Sequence, residues 1–390
     1  MKNSPVANLG MTSLMLAGLS LVLPSGVRSQ DLVAANPSRS TYKENIARRV
    51  KEDIYRPANS NEVFYTSAFA DHSTDGDIVG GEDPVVRQAA IAALGNMNGT
   101  VLAIEPTSGR ILAMVNQKLT LTSAAEPCST IKVSVALTAL SEGIITKDTP
   151  VELASGGRMN LTAALARSNN QYFEALGRKL GFDKVHSHAL QYGLGELAGI
   201  NITGETAGIY PDNEIPSKQG GVGRMCSFGE GISMTPLQLG ALVTAIANGG
   251  TLYYLQHPTT PEQVASFQPM VKRQLEIGPI VDQLFDGMAG AVNYGTARRV
   301  RYVFTQQQVL GKTGTCSRAG TRFGWFGSYV NTKAGRIVIV VFLQGDWHTF
   351  GPKAAEIAGR MYRRLYDHKF FQTKDMPVTM TAAKASPAVQ

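Results

Sequence analysis

Apolar and polar positions along the chain switch between a helical and a strand period, and the switch points divide it into elements. Behind Asp83, Pro84 opens a run in which Val85, Val86, Ala89, Ile91 and Leu94 recur at mainly helical spacing up to Gly95, which predicts a helix. Val101-Leu102-Ala103-Ile104 and Ile111-Leu112-Ala113-Met114-Val115 are strand-like runs around Pro106-Thr107-Ser108-Gly109, so 101–115 predicts a hairpin. Helical patterns fill the middle. Residues 129–141 are apolar nearly all round, as an interior helix is. Residues 161–167 and 172–180 flank a polar break, and Thr235-Pro236 caps a helix that ends at Asn248-Gly249-Gly250. Strands return at 309–315, 325–330 and 336–343, the last two joined by a turn containing Gly335, and a helix over about 353–366 follows. Two strands, a long insert, three strands and a helix predict an α/β (α+β) domain. Its single antiparallel sheet has about five strands, is flanked by helices and carries an all-helical insert; it is not a doubly wound parallel sheet.

The ends read differently. Lys2, an apolar stretch from Leu9 to Leu23, the break at Pro24-Ser25-Gly26 and small residues up to Ser29 predict a signal peptide over 1–29, hence export to the periplasm or the cell-wall side of the inner membrane. An uncleaved anchor is the alternative, although about 15 apolar residues fall short of the ~20 that a span needs. Residues 30–82 read as a polar extension with one helix near 43–54, 83–370 as the main domain, and 371–390 as a disordered tail. An apolar share of 43% against 17% charged leaves ample material for a core and excludes a disordered chain or a coiled coil. The net charge of +7 is not gathered into a basic run, so no nucleic-acid partner is expected, while association with a membrane or an anionic cell wall stays open. Three cysteines cannot form a full disulfide framework, and at least one is unpaired or intermolecular. Six scattered histidines show no ligand spacing, so no metal and no cofactor are expected.

Three short motifs carry candidate chemistry. In Ser129-Thr130-Ile131-Lys132, behind Pro127, serine and lysine three apart share a helix face. The ammonium can then approach the hydroxyl at a helix start that favours negative charge, and burial would lower the lysine pKa toward that of a useful base. The competing reading makes Ser129 an N-cap, as Ser40-Thr41-Tyr42-Lys43 elsewhere is read. Ser168-Asn169-Asn170 interrupts a helical pattern. It either ends one helix and caps the next, or supplies a proton-relaying hydroxyl and an orienting amide. Lys312-Thr313-Gly314-Thr315 lies on a predicted strand, where Gly314 would let a substrate backbone approach and Lys312 and the threonines would offer donors to a carboxylate. A P-loop reading of the same stretch fails because Gln306 stands where its first glycine belongs. The glycines 220, 221, 223, 229 and 231 read as a flexible loop entering a helix.

In this order the three motifs resemble those of the penicillin-binding transpeptidase and serine β-lactamase superfamily. Similar too are Pro127-Cys128-Ser129, the 103–115 hairpin, Thr235-Pro236-Leu237-Gln238-Leu239, Gly295-Thr296-Ala297 and Trp325-Phe326-Gly327. The resemblance implies a β-lactamase/transpeptidase-like fold and a serine D,D-transpeptidase or carboxypeptidase acting on the D-Ala-D-Ala end of peptidoglycan stem peptides, with β-lactams as covalent inhibitors. It implies Ser129 as nucleophile, Lys132 as base, Ser168 as proton relay, Asn170 on the acyl-side amide and Lys312 as a source of positive potential. Thr313, Gly314 and Thr315 would bind the substrate, and the backbone N–H groups of Ser129 and Thr315 would form the oxyanion hole. A class D-like β-lactamase and a catalytically idle penicillin-binding sensor are the alternatives. No E-x-x-L-N element supplies the water-activating base of class A enzymes, and Trp325 is accounted for by its strand. Cys128 stands where the family has glycine or alanine. Because Cys128 and Cys316 flank two of the motifs, pairing that modulates the site is one reading, and two small buried thiols the plainer one.

Overall fold

A computed structural model describes residues 62–332 and 335–371; the expected signal peptide, the helix near 43–54 and the tail beyond 371 lie outside them. Asp83 caps the first helix through its carboxylate on the N–H groups of Val85 and Val86, with Pro84 at the first position, and α1 (Pro84–Leu94) ends at Gly95 in a positive-φ conformation. The hairpin of β1 (Gly99–Glu105) and β2 (Arg110–Val115) follows. The three later strands are longer than the sequence suggests: β7 (Val309–Arg318), β8 (Thr321–Thr332) and β9 (Gly335–Gly345). Gly335 is therefore not in the turn. It opens β9, paired with Thr332.

All five strands form one antiparallel sheet in the order β2-β1-β9-β8-β7, with Val101 opposite Val341 joining the two ends of the domain. Alternation divides the sheet between two cores. Leu102, Ile104, Val338, Val340 and Phe342 face the insert. Val101, Ala103, Ile337, Ile339 and Val341 face α1 and the closing helix α11 (Gly351–Asp367). Both faces are covered, which is why β9 reads as an unbroken apolar run rather than an alternating one.

The insert is not all helical. Beside α2 (Gln117–Thr122), α3 (Lys132–Ser141), α4 (Leu161–Arg167), α5 (Asn170–Leu180), α6 (Phe182–Gln191), α7 (Gly221–Phe228), α8 (Pro236–Asn248), α9 (Pro261–Ala265) and α10 (Phe285–Asn293), it holds two small hairpins. These are β3 (Val151–Glu152) with β4 (Arg158–Met159), and β5 (Thr251–Tyr253) with β6 (Val271–Gln274); such short ladders leave no periodic trace in sequence. The glycine-rich stretch is not a flexible loop either. Gly221 and Gly223 lie within α7, whose Val222, Met225 and Cys226 are buried, and Gly229 ends it in a left-handed conformation. A Cβ on Gly177 would meet Cys226 Sγ at 2.6 Å, so close packing of α5 on α7 holds the helix against its weak intrinsic propensity. Among the described residues no helix is long and apolar enough to cross a membrane.

Candidate active site

Pro127 precedes a short 3-10 turn, Cys128–Ile131, that runs directly into α3. Residues three apart eclipse in a 3-10 turn, so the side chains of Ser129 and Lys132 stack, with Nζ 3.0 Å from Oγ. Ser129 is consequently not the helix cap, a position that Pro127 occupies. α3 is buried along its length from Lys132 to Leu140, as its unbroken apolar pattern requires.

The polar break ends one helix and caps the next. Ser168 ends α4 in a left-handed conformation with φ 55°, and Asn169 caps α5 by accepting the Tyr172 N–H at 2.9 Å. That sharp reversal aims three oxygens at one amine. Lys132 Nζ lies 2.9 Å from Ser168 O, 3.2 Å from Ser168 Oγ and 2.5 Å from Asn170 Oδ1. From the other side, Lys312 Nζ donates to Ser168 Oγ at 2.8 Å and to the Thr313 carbonyl at 2.9 Å.

β7 is an edge strand, and its two-residue period sorts the third motif. Lys312, Gly314 and Cys316 point toward the Cys128–Ile131 turn. A Cβ on Gly314 would come within 2.9 Å of Pro127 O and 3.2 Å of Cys128 Cβ and Thr130 Cγ2. On its side-chain side, Gly314 is thus approached by the turn that carries Ser129. Thr313 and Thr315 turn to the opposite side. Thr313 Oγ1 shares a hydrogen with Thr296 Oγ1 at 2.6 Å, and Thr315 Oγ1 accepts the Gly351 N–H at 2.8 Å, which leaves its own proton to donate.

Cys128 and Cys316 form a disulfide, with Cα atoms 5.6 Å apart, and Cys226 is the free, buried cysteine. The plainer reading of two separate thiols is overturned because β7 lies directly against the turn, a proximity that a sequence separation of 188 conceals. Trp325 Nε1 adds a second tie by donating to the Glu126 carbonyl at 3.0 Å.

Burial sets the electrostatics. Lys132 and Lys312 are both essentially inaccessible. Desolvation, reinforced by the neighbouring Lys312 and partly opposed by Glu174, holds the Lys132 pKa well below that of an ordinary lysine; desolvation lowers Lys312 to about 7. A neutral Lys132 fits its surroundings. It has two N–H groups for the acceptors Asn170 Oδ1 and Ser168 O, and one lone pair for the Ser129 O–H. Such an arrangement can activate a serine oxygen at neutral pH. All the residues singled out in the three motifs gather on this turn, this helix junction and this strand. The sequence does not show the contributions of Thr296, Gly351 and Trp325, although Gly295-Thr296-Ala297 and Trp325-Phe326-Gly327 carry part of the family resemblance.

Residues 99–363, from the first strand into the closing helix, match the family described as penicillin binding protein transpeptidase domain. The chain belongs to the penicillin-binding protein transpeptidase family. Stage V sporulation protein D of Bacillus subtilis is 32% identical over 171 residues, which is 42% of this chain and 25% of that protein. The peptidoglycan D,D-transpeptidase MrdA of Acinetobacter baumannii is 23% identical across 93% of this chain and 62% of its own length. The chain therefore spans between a quarter and about three-fifths of those relatives. Pseudomonas aeruginosa PBP2 shares the fold with a TM-score of 0.60 at 23% identity, over 74% of this chain and 77% of that one.

Proposed function

We propose that this chain is a serine D,D-transpeptidase that attacks the D-Ala-D-Ala end of peptidoglycan stem peptides through Ser129, forms an acyl-enzyme there, and is acylated by β-lactams at the same oxygen. The observation that carries this reading is the placement of a buried, pKa-depressed Lys132 amine 3.0 Å from Ser129 Oγ, with Ser168 Oγ bridging it to Lys312.

Lys132 takes the Ser129 proton as the oxygen attacks the carbonyl. Ser168, between the two amines, passes a proton to the departing amine of D-alanine. With Oδ1 committed to Lys132, the Asn170 NH₂ remains to hold the acyl-side carbonyl. Ser129 N–H, at a helix start where the first amides lack intrahelical partners, and Thr315 N–H on the edge strand receive the oxyanion. Lys312 and the remaining hydroxyl protons of the Thr296–Thr313 pair and Thr315 attract the terminal carboxylate. An amine acceptor completes transpeptidation and water completes carboxypeptidation; we assign the amine as the principal acceptor by analogy with the relatives' names. The site works on the outer side of the membrane, where stem peptides are.

Mass spectrometry after penicillin treatment tests this: the adduct is expected on the peptide containing Ser129 and is abolished by Ser129→Ala. An adduct elsewhere, or rapid release of hydrolysed drug, would overturn the reading in favour of an unrelated site or a β-lactamase. A pentapeptide donor with an amine acceptor should give the cross-linked product, and stable acylation without any such product would identify an idle sensor.

A further inference from the structure

We propose that the Cys128–Cys316 disulfide positions the two oxyanion donors, so that this chain acylates at full rate only when oxidised. This rests on the Ser129 reading above. Each cysteine is the immediate neighbour of one donor: Cys128 precedes Ser129, and Cys316 follows Thr315. The bond therefore ties together the two segments between which the oxyanion must sit, at a point one residue from each.

Cys128 also occupies a left-handed backbone conformation, φ 51°, that residues with a side chain rarely adopt. Its conformation is over-determined on three sides. The disulfide fixes Cβ, Gly314 leaves room for it where a Cβ of its own would lie 3.2 Å away, and the Trp325 indole holds the carbonyl of Glu126, two residues before. A dithiol reductant that converts the bond to two thiols, itself becoming a disulfide, removes the covalent restraint. Cys128 can then relax toward negative φ, which rotates the peptide plane carrying the Ser129 N–H. Ser129 Oγ and Lys132 keep their own contacts, so binding of the intact substrate persists while stabilisation of the tetrahedral intermediate is lost. The cysteines are positioning residues; neither touches substrate.

The test is pre-steady-state acylation by a fluorescent penicillin, resolving the non-covalent dissociation constant, the acylation rate constant and the number of sites titrated. The protein is compared as isolated, after reduction by a phosphine and its removal under anaerobic conditions, and after reoxidation. The acylation constant is expected to fall about 10- to 100-fold on reduction, no more than the lower end of the roughly 100- to 1000-fold cost of losing one oxyanion donor outright because the donor is misplaced and not removed, with the dissociation constant and site number nearly unchanged, and to return on reoxidation. The double variant Cys128→Ala, Cys316→Ala should behave as the reduced protein does and ignore redox state. An acylation constant within twofold in both states overturns the proposal, as does a fall confined to the number of sites, which marks a purely structural bond. Three reactive thiols in the denatured, unreduced protein also overturn it. If neither state is acylated at Ser129, the functional reading itself fails and the proposal falls with it.

Discussion

Lys312 gives the sharpest quantitative prediction, because a residue kept for chemistry should be a burden on stability. The residue is 1% exposed and its amine titrates near 7, whereas in the unfolded chain it titrates near 10.5. Between those values the unfolded state holds more protons, so folding releases them and stability rises with pH through that window. The free-energy cost of burying this amine is about 4 kcal/mol at pH 7 and about 2 kcal/mol at pH 9. Lys312→Met removes that cost while forfeiting the hydrogen bonds to Ser168 Oγ and Thr313 O, about 1 kcal/mol each. The variant should therefore be more stable than the parent by about 2 kcal/mol at pH 7 and roughly equal at pH 9. Relief of the charge pressing on Lys132 acts in the same direction. Urea unfolding followed by tryptophan fluorescence at the two pH values measures both differences, and penicillin labelling reports the accompanying loss of activity. A stability difference that does not shrink between pH 7 and pH 9 would refute burial of a titrating amine as its cause.

Three further perturbations bear on the frame around the site. Gly314→Ala forces a methyl against Pro127 O and Cys128 Cβ, and should cost about 1–3 kcal/mol in unfolding and slow penicillin acylation by displacing the turn that carries Ser129. Asn169→Ala removes the cap of α5 and should lower stability by about 1 kcal/mol in urea unfolding. Arg87→Ala leaves the nearly buried carboxylates of Asp77 and Glu82 without their shared guanidinium, and thermal unfolding should show a loss of about 3–5 kcal/mol.

Where local chemistry decides structure, the sequence was legible. Asp83-Pro84 and Gly95 spell out both ends of α1, and Thr235 with Gln238 closes a reciprocal capping box at α8. The two-sided apolar run of β9 announces a central strand. Where contact between distant segments decides, it was not. α10 leaves little helical pattern because Gly287 and Gly290 weaken it, yet a Cβ on Gly287 would lie 2.8 Å from Leu165 Cβ, so the glycine serves the close packing of α4 and α10. The three motifs were visible as short patterns, but their spacing said nothing of the shared contacts at Ser168 Oγ, which depend on the αL turn between two helices. The roles of Gly314 and of the cysteine pair were hidden for one reason: both follow from how near β7 comes to the Pro127–Thr130 backbone, a tertiary distance.

The sheet's join between β1 and β9 has a consequence for how the molecule is made. Val101 cannot meet Val341 until nearly the whole domain has been synthesised, so the central strand of the sheet arrives last. Contacts this distant along the chain are slow to form, and until they do the early hairpin presents an open apolar edge. The serine turn emerges long before the strand that flanks it, so a nascent or truncated polypeptide carries Ser129 and Lys132 without the Lys312 amine that completes the cluster at Ser168 Oγ.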